Sequence, residues 1–181
     1  MKFEETTIHR EDIFKGRVFD VVVDDVRLPD GQTGKRELIF HKGAVCVLAL
    51  TADNQLILVK QYRKAIERAI YEIPAGKLEA GEEDQLEAAA LRELEEETGY
   101  TATKLTLLAD FYSAIGFCNE RIRLFATDQL IKVDNPRPMD EDEVIELAFV
   151  SLEEALAMIE TGDICDAKTM LAIQHWQLMR K

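Results

Sequence analysis

Four carboxylates stand within five consecutive positions, Glu93, Glu95, Glu96 and Glu97, in the run Arg92-Glu93-Leu94-Glu95-Glu96-Glu97-Thr98-Gly99-Tyr100. On a helix that turns about 100° per residue, Glu93, Glu96 and Glu97 share an arc of roughly 100°. Like charges that close repel, and either bulk water or a bound cation must relieve them. A charge run by itself is more often a solvated face. Here Ala90, Leu91 and Leu94 fall on the adjoining arc and dock the helix, which holds the carboxylates at the edge of a cleft. The loop before the helix, Pro74-Ala75-Gly76 with Gly81, brings backbone close to the acidic face. Carboxylates joined by a loop carbonyl make an all-oxygen ligand set. Such a set suits Mg²⁺ or Mn²⁺ and offers nothing soft for Zn²⁺ or Cu⁺.

The elements that must position this face are legible around it. Asp84 stands as N-cap ahead of QLEAAALRELEEET, a run of strong helix formers, and Gly99 supplies a left-handed stop. Upstream, GAVCVLALT is an apolar run typical of a buried strand, the Ala52-Asp53-Asn54 turn leads into QLILVKQYR, and AIYEIPAGKL is a short strand entering the glycine loop. Residues 14–28 alternate as a strand, Pro29-Asp30-Gly31-Gln32 turns, and KRELIFH returns beside it. Downstream, TKLTLLADFYSA and RIRLFATDQL are strands joined by IGFCNE, and VDNPRPMDEDE is an acidic, proline-containing loop before the strand VIELAFV. A capping box at Ser151 and Glu154 opens a helix that ends near Gly162, and AKTMLAIQHWQLMR forms the last helix. Trp176, Met170 and Leu178 read as core, and His9, His41 and His175 show no triad or ligand spacing.

With 181 residues, 47% of them hydrophobic, one well-buried core is the expectation. The formal charge of −13 argues against nucleic acid and anionic membrane as partners. It also repels an anionic substrate, which gives a bound cation a second task. Cys46, Cys118 and Cys165 are scattered, with no CxxC spacing, as expected of reduced thiols in a cytoplasmic protein. No apolar run is long enough for a membrane span, and the N-terminal residues lack the apolar centre of a signal peptide.

The stretch GKLEAGEEDQLEAAALRELEEETGY resembles the Nudix box, G-x5-E-x7-R-E-U-x-E-E-x-G-U with U a bulky apolar residue. Gly76 and Glu82 fit its first spacing, and Arg92, Glu93, Leu94, Glu96, Glu97, Gly99 and Tyr100 fit its end. Nine residues rather than seven separate Glu82 from Arg92, which puts the part played by Glu82 in question. The resemblance implies an α/β/α sandwich with a mixed sheet, here preceded by an N-terminal antiparallel β-hairpin. On that reading residues 1–42 are an extension that contacts a second subunit, giving a homodimer, and residues 43–181 are the hydrolase domain.

Beyond the box, KRE, VKQYRKAIE, EIPAGK, IGFCNER and MDEDE before IEL are similar to bacterial ADP-ribose pyrophosphatases. The family cleaves ADP-ribose to AMP and ribose 5-phosphate. By resemblance, Glu93 and Glu97 are the principal Mg²⁺ ligands, joined by Glu96 and the carbonyl of Ala75, with Mn²⁺ a possible substitute. Arg92 orients the glutamates and the loop. Glu141 matches the general base and Glu143 its metal or water partner. Arg36 and Glu37 match nucleotide contacts, Arg63 a position near the diphosphate, and Glu120 one beside the terminal ribose. Two alternatives stay open: another nucleoside diphosphate sugar or dinucleotide as substrate, and a non-catalytic ADP-ribose sensor. A sensor would be expected to have lost metal ligands or gained a basic segment, and this chain keeps every carboxylate of the box.

Overall fold

Residues 44–49 explain why their run is apolar without alternation: both faces of this strand are covered. In a computed structural model that describes residues 2–139 and 144–179, Cys46 and Leu48 face one core with Ile73, Leu124, Ile173 and Trp176. Val45, Val47 and Ala49 face a second core with Ala89, Ala90, Leu94 and Phe125. A helix lies on each side, as burial of both faces requires.

The described residues form two compact units, one running through Gly43 with Tyr112–Arg121 added, the other comprising Ala44–Phe111 and everything from Ile122 onward. The first holds a three-stranded antiparallel sheet, β1 (Thr6–Lys15), β2 (Phe19–Arg27) and β3 (Thr33–His41), in the order β1-β2-β3. The expected turn joins β2 to β3, closed by Gly31 N–H to Leu28 O at 2.9 Å, with Gly31 at φ 86°. The hairpin is thus one strand short of what is present, because β1 precedes it. All ten residues of β1 are exposed, so no buried period marks it in the sequence. Its tie to β2 is polar: Arg10 Nε and Nη2 donate at 2.7 Å to the two oxygens of the buried Asp24, and Thr7 donates to one of them at 2.9 Å. Residues 112–121 join this unit at β3, where Ile39 N–H meets Phe117 O at 2.7 Å and Asn119 N–H meets Ile39 O at 3.2 Å.

The second unit contains β4 (Ala44–Ala49), β5 (Leu56–Arg63), a single 3₁₀ turn at Lys64–Ile66, β6 (Arg68–Glu72) and β7 (Ala75–Lys77). It continues with α1 (Leu86–Thr98), β8 (Tyr100–Ala102), β9 (Thr106–Tyr112), β10 (Arg121–Thr127), β11 (Leu130–Lys132), β12 (Glu146–Val150), α2 (Leu152–Thr161) and α3 (Ala167–Met179). One sheet has the order β7-β4-β10-β9, with β4 and β10 parallel and β4 and β7 antiparallel; a second is β12-β5-β6, and β11 pairs with β8. This is the mixed α/β arrangement that was expected, with α1 against β4, β5 and β7, and α3 against the other side of β4.

Local chemistry sets the helix ends. Gly99 stops α1 at φ 73° and Gly162 stops α2 at φ 80°, and Ser151 and Glu154 form the full capping box. Asp84 does not cap α1. Gln85 N–H bonds Glu82 O at 2.9 Å in a turn that carries the chain one residue further, so Gln85 occupies the cap position without a side-chain bond. No helix among the described residues is long and apolar enough to cross a membrane.

Candidate active site

The buried stripe of α1 runs Ala90, Leu94 and Glu97, a helical repeat whose last member is a carboxylate. Glu97 is only 4% exposed, and its Oε2 accepts the Ala75 N–H at 2.9 Å. That bond fixes the glycine loop against the helix, and the Pro74 carbonyl fixes it to β4 by accepting Val47 N–H at 2.9 Å. Gly76, the next residue, lies directly against Glu93: a Cβ there would come within 2.0 Å of the Glu93 carboxyl carbon. The glycine is therefore required by the close approach of loop and carboxylate.

Arg92 gathers the remaining acids. Its Nε and Nη2 each donate at 2.9 Å to Glu82, and its Nη1 lies 2.9 Å from Glu96 and from Glu93. Glu82 thus reaches the arginine in spite of the longer spacing, since the extra residues are taken up between Glu82 and the start of α1. The hydrogen bonds from Arg92 hold the Glu82 carboxyl below its ordinary range, and those to Glu82 in turn raise the affinity of Arg92 for its proton. One guanidinium serves three carboxylates, and the face stays negative.

Ala75, Glu93, Glu96 and Glu97, the residues expected at a metal, are brought together here. Among the described residues no three acidic, histidine or cysteine side chains gather closely enough to enclose a cation by themselves. The donors fit a hard divalent ion of the kind that keeps several waters and is held by one or two carboxylates and by substrate phosphate. Glu97 and Glu93 would supply those carboxylates.

Arg63, at the end of β5, donates Nε and Nη2 to the buried Glu72 of β6, a pairing invisible in sequence order. Arg36, Glu37 and Glu120 belong to the first unit. Arg36 forms a two-pronged pair with Glu5, Glu37 stands opposite Val23 on β2, and Glu120 accepts the Ser113 hydroxyl at 2.6 Å. Close to Glu120 in the chain, a groove of about 270 Å³ is lined by Phe40, Tyr112, Phe117 and Asn119. Glu141 and Glu143 lie outside the described residues. His41 accepts the Gly43 N–H at 2.9 Å, and Trp176 is core, as expected, whereas Leu178 on the same helix is exposed to solvent.

The NUDIX domain family matches residues 40–172, and the nucleoside diphosphate sugar hydrolase N-terminal domain matches residues 5–39. The chain is 53% identical to the ADP-ribose pyrophosphatase of Bacillus subtilis (strain 168), an alignment covering 97% of this chain and 94% of that protein. It is 49% identical to the methanol dehydrogenase activator of Bacillus methanolicus, with the same coverage, 97% and 94%. Among solved structures, one described as an ADP compounds hydrolase superposes with a TM-score of 0.83 at 23% identity, covering 98% of this chain and 96% of that one, and so shares the fold. With the carboxylate helix, its glycine loop and its arginine in place, the chain belongs to the Nudix family, hydrolases that work with a divalent cation.

Proposed function

We propose that the chain hydrolyses the diphosphate of ADP-ribose to AMP and ribose 5-phosphate with Mg²⁺, for which Mn²⁺ substitutes. The observation that carries this reading is the 53% identity to an ADP-ribose pyrophosphatase across nearly the whole of both chains. In the reaction a water oxygen bonds to one phosphorus, the bridging P–O bond breaks, and the departing phosphate keeps the bridging oxygen. The bound cation supplies charge neutralisation at the diphosphate and a more acidic water. Glu93, Glu97 and Glu96 hold that charge in place, and Arg92 fixes their orientation. By resemblance to the family, proton removal from the water falls to Glu141, with Glu143 as its metal or water partner. Arg63, Arg36, Glu37 and Glu120 are assigned to the substrate.

The test is a panel of ADP-ribose, GDP-mannose and dinucleotides with Mg²⁺, reading released nucleotide and sugar phosphate. ADP-ribose is expected to give the highest kcat/KM. A clear preference for another member moves the assignment to that substrate, and no release from any of them overturns it.

The 49% identity to a methanol dehydrogenase activator supports a second reading, in which the same hydrolase acts on behalf of a dehydrogenase partner. Faster turnover of a methanol dehydrogenase on adding the purified chain would support it, and an unchanged rate would dismiss it. We also propose a cytoplasmic homodimer formed through the N-terminal sheet, whose first strand exposes Ile8, Ile13 and Phe14. Light scattering at micromolar concentration should give twice the chain mass, and deletion of residues 1–40 should give a monomer.

A further inference from the structure

A second polar network in the hydrolase unit surrounds Arg63, and its other members have no part in the chemistry assigned above. Glu72, 2% exposed, accepts Arg63 on both oxygens and Lys168 Nζ on Oε2. Lys168, whose side chain is 12% exposed, also pairs with Asp166 at 3.0 Å. Asp166 stands immediately before α3 and accepts the backbone N–H and the hydroxyl of Thr169 at 3.0 and 2.7 Å. The Thr169 hydroxyl in turn accepts Ile73 N–H at 3.0 Å. The start of α3 therefore grips two adjacent residues, Glu72 and Ile73, and two positions further on Ala75 binds Glu97.

Two consequences follow for Arg63. Both oxygens of Glu72 are constrained, so the plane of its carboxylate is fixed and the guanidinium bound to it in bidentate fashion is fixed as well. Nε and Nη2 are engaged, while Nη1 belongs to a side chain that is still 41% exposed. The charges also matter. Arg63 and Lys168 balance Glu72 and Asp166, whereas without Lys168 the group carries a net negative charge beside a site that must admit a diphosphate. The hydrogen bonds to Glu72 hold Arg63 protonated, and the segment that carries Glu72 runs on to Ala75, which donates to Glu97 on the carboxylate helix.

We propose that Lys168 is a positioning residue, which acts through Glu72 to fix Arg63 for contact with the substrate diphosphate. The inference rests on the hydrolase reading above. A lysine that only tied α3 to β6 would affect melting temperature and leave the kinetics of the folded enzyme alone.

The full-length chain carrying Lys168→Met should show a KM for ADP-ribose raised about ten-fold with kcat within about three-fold of wild type, the signature of lost binding rather than lost chemistry. Lys168→Arg, which keeps the charge, should recover most of the loss. The Kd of the non-hydrolysable α,β-methylene analogue of ADP-ribose should rise by the same factor as KM. Should Lys168→Met fail to fold, Lys168→Gln, which keeps a donor toward Glu72 without the charge, must show the same rise. An unchanged KM and Kd in a folded neutral variant, or a fall confined to kcat, overturns the proposal. Wild-type enzyme inactive on the whole substrate panel would instead overturn the hydrolase reading, so the two failures are distinct.

Discussion

Gly76 and Glu93 share one volume: the space a Cβ would fill on residue 76 is held by the Glu93 carboxyl group, whose atoms lie 2.0 to 2.2 Å from that point. Gly76→Ala must therefore displace either β7 or the carboxylate. Overpacking of this kind costs roughly 1–3 kcal/mol. A fall in kcat of at least ~10²-fold is expected, in line with loss of an electrostatic group at a phosphoryl transition state. Melting and steady-state kinetics on the purified variant check both parts, and wild-type turnover would take Glu93 out of the reaction.

Glu97→Gln separates charge from packing more cleanly. A glutamine oxygen can still accept the Ala75 N–H, so the glycine loop stays docked. The expected loss is at least ~10³-fold in kcat at saturating Mg²⁺, because the charge that would hold the cation is gone. Retained activity would mean that the carboxylate face of α1 is not the metal site.

Acid should unfold the protein in part through Glu72. Burial alone would raise its pKa, but the hydrogen bonds and charges of Arg63 and Lys168 prevail and lower it. A carboxylate depressed in the folded state stabilises above its unfolded value, about 4.3, and loses that contribution as pH falls through the folded value. Glu82, lowered by Arg92, acts in the same direction. Urea midpoints measured from pH 7 down to 3 should drop steeply for wild type and less steeply for Glu72→Gln, which starts lower. Parallel curves would remove Glu72 from the acid transition.

The three thiols should react in a set order. Cys46 is buried, and burial pushes its pKa up to about 12, so it holds almost no thiolate at neutral pH. Cys165 is exposed and accepts a hydrogen bond from Arg68. A chromogenic disulfide should label Cys165 first and Cys46 only in denaturant, with mass spectrometry locating the sites. Rapid labelling of Cys46 in the native protein would contradict the packing around β4.

Where the sequence was readable, the determinant was local. Gly99 and the Ser151–Glu154 box stop and start helices through their own backbone and side-chain chemistry, and both are seen. The box residues Gly76, Arg92, Glu93, Glu96 and Glu97 could be found because one helix and one loop carry them all. Asp84 misled because a preceding turn moved the helix start. The first strand escaped because its exposed residues leave no burial period, and β8 and β11 because each has three residues. Least legible was the setting of Arg63: Glu72 and Lys168 lie 96 positions apart, and no spacing rule links them.

The parallel pairing of β4 with β10, Ala44 beside Ile122 through Ala49 beside Thr127, also governs how the molecule is made. Everything from β5 to β9, Glu93, Glu96 and Glu97 included, lies in the chain that this one ladder closes. Such non-local contacts are entropically costly to form, and they slow folding. On a ribosome adding about 5–20 residues per second, the ladder waits several seconds for its second strand, and α3 with Lys168 and Trp176 arrives later still. Until then the face of β4 that Trp176 and Ile173 cover is bare, so a nascent chain halted before α3 would be a substrate for chaperones and proteases before it could become an enzyme.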